Sequence, residues 1–245
     1  MLFLPKDLNF GQNCATLRAR SSFWSVNCYI YERMTIMKRK LKILFQGDSI
    51  TDCGRDRSDI HNLGHGYPYY AAKLLSERYP DIDFEFVDLG ISGNRTPDLV
   101  NRLESDFVEI QPDICSILIG INDTWHHSNP NDNWMKHSYF EHCYRTVLEA
   151  LKTRTNAKIL LMEQFLLPAP DKLYFHEDLD PKIQITRKLA REYADAYLPT
   201  DGLLAAAYTT EDWQKFSEDG VHPTAYGAQT IAKWYVDTIA PLIEG

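Results

Sequence analysis

"ILFQGDSITDCG", residues 43–54, decides how the chain is read. A short apolar run, Ile43-Leu44-Phe45, gives way to a glycine, an acid and Ser49, the pattern of a buried strand that stops at a sharp turn. Ser and Asp favour helix starts because their side-chain oxygens accept the free backbone N–H groups of the first turn. Ser49 therefore has two readings, a helix cap and a nucleophile held at a strand end. The stretch alone does not choose between them.

Outward from it, strand patterns recur at 42–46 (KILFQ), 83–89 (DFEFVDL), 114–119 (ICSILI), 158–163 (KILLME) and 195–199 (DAYLP). Several are near-continuous apolar runs, as a parallel strand covered on both faces requires. Helical patterns fall between them: 67–79, with Tyr70, Leu74 and Leu75 on one face; 97–106, with Thr96 as N-cap and Pro97 at the first helical position; then 139–154, 181–194 and 224–240. This alternation predicts an α/β fold with a doubly wound parallel sheet, whose ligands bind beyond the carboxyl ends of the strands. The proline-bearing stretch 164–180 is expected to be a partly ordered surface segment or part of a site rim.

With 245 residues, 44% hydrophobic and 24% charged, the chain can bury one sizeable core. A net charge of −8 argues against a nucleic-acid partner, and "KRKLK" at 38–42 reads as a solvated strand entry. No run approaches the roughly 20 apolar residues that span a bilayer, so no membrane partner is expected. Five scattered cysteines without a CxxC pair argue against a disulfide framework or structural zinc and point to a reducing, cytoplasmic location. Residues 1–36 read differently: they carry net charge +2, leaving −10 for the remainder, and their aromatics follow no period. Breaks by Ser, Asn and Glu in "SSFWSVNCYIYERM" argue against a signal peptide, and none is expected. The expectation is an N-terminal extension over 1–36, disordered or an upstream translation artefact, followed by one domain over 37–245.

The strand ends supply a short set of polar clusters: "GDSIT" at 47–51, "GISGNRT" at 90–96, "GIND" at 120–123 and, far downstream, "DGVH" at 219–222. Acyl transfer needs a nucleophile, a base, a group that orients the base, and donors for the developing oxyanion. Ser49 is the candidate nucleophile, His222 the base and Asp219 its orienter, three residues away and so reachable within one turn. The Ser49 N–H, the Gly93 N–H and the Asn122 side-chain amide are the candidate oxyanion donors. Asp123 is expected to hold the Asn122 loop through an Asx-type turn, and Ser92 to be structural. Asp48, which braces or caps the nucleophile loop, and Asn94, beside Gly93, join Trp125, Tyr67, Arg55 and Trp213 as the candidate substrate-binding set. Aromatic faces with polar edges suit a sugar ring, although such loops serve equally as packing or as a subunit interface, so a homo-oligomer stays open. Adjacent His126 and His127 invite a metal reading, but no companion ligand at a suitable spacing completes a site and no metal is expected. Asn94 and Asn122 head N-glycosylation sequons; a glycan on Asn122 would block the oxyanion donor, which again favours a cytoplasmic protein.

These blocks, and the longer strings "FQGDSITDCGRDR" (45–57), "LGISGNRTPDL" (89–99) and "LIGINDTW" (118–125), resemble the SGNH/GDSL hydrolase superfamily, particularly its acetyl xylan and xylo-oligosaccharide esterase branch. The resemblance covers roughly 40–240, with Ser49, Gly93, Asn122 and His222 at the four signature positions. It implies a three-layer α/β/α, flavodoxin-like fold with a five-stranded parallel sheet, and cofactor-free hydrolysis of acetyl or other short acyl esters of carbohydrates through an acyl-serine. It differs from the α/β-hydrolase elbow G-x-S-x-G, since Thr51 stands at the second glycine. Two alternatives remain: a lysophospholipase or thioesterase on the same chemistry, and a catalytically silent carbohydrate-binding protein on the same fold. Deletion of residues 1–36 is expected to leave esterase activity and Tm unchanged; a large loss of either would contradict the extension reading.

Overall fold

The computed structural model describes residues 38–127 and 134–245, so the expectation for 1–36 lies outside the described residues. Strands β1 (Arg39–Gly47), β2 (Ile82–Asp88), β3 (Ile114–Leu118), β4 (Lys158–Met162) and β5 (Ala196–Leu198) build one parallel sheet in the order β2-β1-β3-β4-β5. Between and after them run α1 (Ser49–Asp52), α2 (Tyr67–Arg78), α3 (Thr96–Asn101), α4 (Ile121–Trp125), α5 (His137–Arg154), α6 (His176–Tyr193), α7 (Thr200–Ala207) and α8 (Ala225–Glu244).

Strand periodicity sorts the core into two layers. Ile43 and Phe45 of β1, with Leu160 and Met162 of β4, pack against Leu75 of α2 and Ile231, Tyr235 and Ile239 of α8. Leu44, Cys115, Ile117, Ile159 and Leu161 face the opposite way, onto Leu99 of α3 and Phe140, Val147 and Leu151 of α5. Every residue of β3 is buried, which is why its sequence reads as an unbroken apolar run, while edge strand β2 alternates half-buried Ile82, Phe84 and Phe86 with exposed Asp83 and Glu85. The three-layer α/β/α expectation therefore holds, strand by strand.

Several boundaries differ from the sequence reading. The face of α2 that enters the core is Pro68, Ala71, Ala72 and Leu75; Tyr70 and Leu74 sit at its margin. Thr96 lies inside α3 and the cap position falls on Arg95, whose N–H bonds the Asp98 carboxylate at 2.9 Å. Past Asn101 the chain tightens and then widens into a π-turn at 104–108, so the regular helix is shorter than the expected 97–106. Helix α6 begins at His176, and Pro181 lies within it instead of opening it. The added turn, 176–180, gives a weak apolar signal because one of the residues it buries, Asp178, is charged. Only the later part of the stretch 164–180 lies at the surface, with Leu173 and Tyr174 exposed; Gln164, Phe165, Leu166, Leu167 and Ala169 are buried. Helices α4 and α7 had not been anticipated.

The topology fixes where a site can lie. The chain leaves β1 for α2 on one face of the sheet and leaves β3 for α5 on the other, so the carboxyl ends of these neighbouring strands splay and open a crevice. Ser49 follows β1 and Asn122 follows β3, which sets both on its lips. The loop after β2 presses on the first lip so closely that a Cβ on Gly90 would lie 2.5 Å from the Asp52 nitrogen and 2.8 Å from the Thr51 Cβ. Gly90→Ala is expected to destabilise the fold by about 1–3 kcal/mol, read as a lower midpoint in denaturant unfolding; an unchanged midpoint would contradict this packing.

Candidate active site

Asp48, not Ser49, caps the first turn of α1: its carboxylate accepts the Ile50 N–H at 3.0 Å. The serine hydroxyl is thereby free for another partner. His222 supplies it, with Nε2 2.9 Å from Ser49 Oγ, while Nδ1 lies 2.7 Å from Asp219 Oδ2. An ionised carboxylate only accepts, so Nδ1 carries the ring proton and Nε2 presents its lone pair to the hydroxyl.

The turn that joins Asp219 and His222 is held from several sides. Asp219 Oδ1 accepts the N–H groups of Val221 (2.9 Å) and His222 (2.8 Å) and the Ser217 hydroxyl (3.1 Å). Gly220 takes φ +87°, and a Cβ there would meet Ala169 Cβ at 2.7 Å; Leu167 N–H in turn donates to the Gly220 carbonyl at 2.8 Å. The buried segment after β4 thus backs the turn. Thr224 then caps α8 by accepting the Gly227 N–H at 3.1 Å.

Charge follows this geometry. The Asp219 carboxylate raises the His222 imidazole above its ordinary value, against the opposing effect of burial. Burial alone would raise Asp219, but the His222 ring and the N–H groups of His222 and Val221 outweigh it and hold that carboxyl well below the usual range. Burial pushes Asp48 up to about 7, against the Ile50 N–H, and pushes Asp123 up to about 6, against its bonds from Thr96.

The remaining lips are tied to each other. Asn122 is buried, and its Nδ2 donates one hydrogen to the Asn94 carbonyl at 3.1 Å, which leaves the second. Asp123 makes no Asx turn on its own loop. Its carboxylate accepts instead from the Thr96 N–H at 3.1 and 3.2 Å and from the Thr96 hydroxyl at 2.6 Å, stitching α4 to α3. Ser92 donates its N–H to Asp52 at 2.8 Å, joining the Gly93 loop to α1. Gly93 itself takes φ +84°, and a Cβ built on it would meet, among the described residues, only the His126 ring, at 3.9 Å.

Of the expected substrate-binding residues, Trp125 lies beside the site, with its ring 5.9 Å from that of His222 and the Lys172 ammonium 5.3 Å from its centroid. The other five make their contacts elsewhere. Tyr67 is buried in the core against Phe45 and Tyr235, its hydroxyl 3.4 Å from Thr51 Oγ1. Arg55 is buried too, donating to the Gly90 carbonyl at 2.9 Å with Asp88 at 3.8 Å, and so braces a loop. The Asn94 side chain accepts from Arg102 at 3.0 Å, and one Asp48 oxygen makes the cap while the other is buried without a hydrogen-bond partner among the described residues. Trp213 is half-buried against the core layer of α2 and α8, at the start of a 3₁₀ turn, 213–215. Residues that sequence reasoning missed are Thr96, Asp52 and Lys172, ordinary polar positions whose partners are distant in the chain. Among the described residues no group of three His, Cys, Asp or Glu is placed to hold a metal ion, and none of the helices is long and apolar enough to cross a membrane.

Comparison with known proteins places this chain in a class, that of carboxylic ester hydrolases. Residues 45–230 match the GDSL-like lipase/acylhydrolase family, and the chain belongs to that family. It is 32% identical over 205 residues to an acetylxylan esterase of Geobacillus stearothermophilus, covering 81% of this chain and 93% of that one. It is 28% identical to thioesterase 1/protease 1/lysophospholipase L1 of Escherichia coli K12, over 74% of this chain and 81% of the relative. The solved structure of Axe2, an acetylxylan esterase from G. stearothermophilus, superposes with a TM-score of 0.74 at 30% identity, covering 82% of this chain and 95% of that one. Other Axe2 structures are of catalytic mutants in which a serine, an aspartate or a histidine becomes alanine.

The His222 ring is expected to titrate above about 6.5, the unperturbed value, followed by NMR of the imidazole, and Asp219→Asn should lower that midpoint. An equal midpoint in both proteins would contradict the pairing.

Proposed function

We propose that the chain is a serine esterase that removes acetyl groups from carbohydrates, xylo-oligosaccharides among them, with Ser49, His222 and Asp219 as its catalytic triad. The observation that carries the reading is the hydrogen-bonded line from Ser49 Oγ through the His222 ring to Asp219, at 2.9 and 2.7 Å. In the first step Ser49 Oγ attacks the ester carbonyl carbon while His222 Nε2 takes its proton. Negative charge gathers on the carbonyl oxygen, where the Ser49 N–H, the Gly93 N–H and the second amide hydrogen of Asn122 are the donors. Loss of one such donor costs about 3 kcal/mol of barrier. His222 then passes the proton to the departing sugar oxygen, leaving an acyl-serine. Water attacks that ester with His222 again as base, and release of acetate restores the hydroxyl. No step needs a cofactor.

Two things support Ser49 as the nucleophile over a helix cap. The capping hydrogen bond is already made by Asp48, and a hydroxyl hydrogen-bonded to a carboxylate-backed imidazole is set up for proton loss. The acetyl and sugar preferences draw support from the acetylxylan esterase relatives and from the Trp125 ring beside His222. Their catalytic serine, aspartate and histidine are the residue types of this triad.

Ser49→Ala is expected to lose about a thousandfold or more in kcat on p-nitrophenyl acetate while circular dichroism and Tm stay intact; unchanged turnover would end the reading. On p-nitrophenyl esters of rising chain length, kcat/KM should peak at the two-carbon acyl group and fall beyond it. A rise with chain length would favour the lysophospholipase or thioesterase alternative instead, and a protein inert toward every ester would be the silent binding module.

A further inference from the structure

Helix α6 carries a buried polar stripe, Asp178, Lys182 and Thr186, one residue per turn on a single face, and all are essentially inaccessible to solvent. The Lys182 ammonium donates to the Asp123 carbonyl at 2.9 Å and to Thr124 Oγ1 at 3.0 Å, and it forms an ion pair with Asp178. Asp178 accepts the Thr124 hydroxyl at 2.7 Å on one oxygen and faces His137 Nε2 at 2.9 Å on the other. One turn on, the Thr186 hydroxyl donates to Gln164 at 3.1 Å, and the Gln164 amide lies 3.2 Å from where a Cβ on Gly120 would sit. Lys182 and Asp178 thus grip the five-residue helix α4 at its Asp123 carbonyl and Thr124 hydroxyl, while His137 ties Asp178 to the start of α5 and Gln164 ties Thr186 to the segment after β4.

That is an unusual way to hold so short a helix. A buried ion pair returns little net stability once desolvation is counted, and apolar residues of the same volume would hold two helices together as well. What the pair does supply is direction: a three-donor ammonium fixed by a carboxylate, a hydroxyl and a carbonyl locates the α4 backbone in a way that apolar contacts do not. The residue before the gripped carbonyl is Asn122.

We propose that Lys182 and Asp178 are positioning residues of the reaction, which set the Asn122 amide at the oxyanion site by clamping α4 from beneath. The proposal rests on the reading of Asn122 as an oxyanion donor. In the resting geometry Asn94 steadies the amide from one side, Thr96 steadies Asp123 from a second, and the Lys182–Asp178 pair closes the third. An oxyanion donor acts only when it already points at the place where charge will appear. Small rotations of α4 would leave ester binding intact and weaken the transition state.

The test is steady-state kinetics on p-nitrophenyl acetate with the full chain, in a double-mutant cycle against Asn122→Ala. Lys182→Met is paired with Asp178→Asn so that no lone charge is left buried. The paired variant should lower kcat by about tenfold or more with KM changed less than about twofold, and cost less than about twofold when Asn122 is already alanine. Thr124→Val cuts the hydroxyl bridge but leaves the ion pair, and gives a second reading if the paired variant unfolds: kcat should fall about threefold or more in a folded protein. Unchanged kcat in folded Thr124→Val, or an equal loss with and without Asn122, would overturn the positioning role alone. An Asn122→Ala enzyme with unimpaired kcat would overturn the oxyanion reading first, and this proposal with it.

Discussion

Two neighbouring parallel strands whose chains depart toward opposite faces of the sheet cannot keep their carboxyl ends closed, and the rest of this molecule depends on that opening. β1 and β3 are the pair, and the residues that leave them are Ser49 on one side and Asn122 on the other. Everything that follows in the structure braces the gap at a fixed width. Asp52 holds Ser92, Asp123 holds Thr96, and Arg102 reaches from α3's end to the Leu89 carbonyl and the Asn94 side chain. The long return of the chain after β5 then brings the Asp219–His222 turn over the opening from the direction of α8.

This bracing is built largely from buried carboxyl groups. Asp48, Asp88, Asp123 and Asp178 are all inaccessible to solvent. A buried carboxyl costs stability when charged, and the raised values of Asp48, about 7, and Asp123, about 6, express that cost. The sign follows: with the unfolded carboxyl near about 4, the contribution of these two groups falls as pH climbs from about 4 through 6 to 7. Asp219 has the opposite sign, since its folded value is depressed and its contribution is lost only in acid. Stability here is exchanged for fixed geometry, as is common where a fold holds reactive groups in place.

The strands and the site's linear clusters were legible because each writes a local signal. Continuous apolar runs announced β1, β3 and β4, and glycine followed by a polar cluster announced the turns after β1, β2 and β3. The opening question about Ser49 was also answerable in part: a cap and a nucleophile compete only if the serine must do both, and Asp48 takes the first task. What stayed hidden was polar material facing inward. The buried Asp178 disguises the first turn of α6, 176–180, as loop, and Tyr67 and Arg55, an aromatic ring and a guanidinium of the kind that suits a sugar, are buried instead. Their partners, Thr51, Gly90 and Asp88, are brought to them by tertiary contacts that no local pattern records.

The central claim is that the hydroxyl of Ser49, through its bond to a carboxylate-backed His222, is the group in this chain that reacts with acyl and phosphoryl electrophiles. Treating the folded protein with a fluorophosphonate and mapping the adduct by peptide mass spectrometry tests it most directly. The account predicts a single adduct on Ser49 that disappears when His222 is replaced by alanine. An adduct on Ser92, or a folded protein that takes up no label at all, would contradict it.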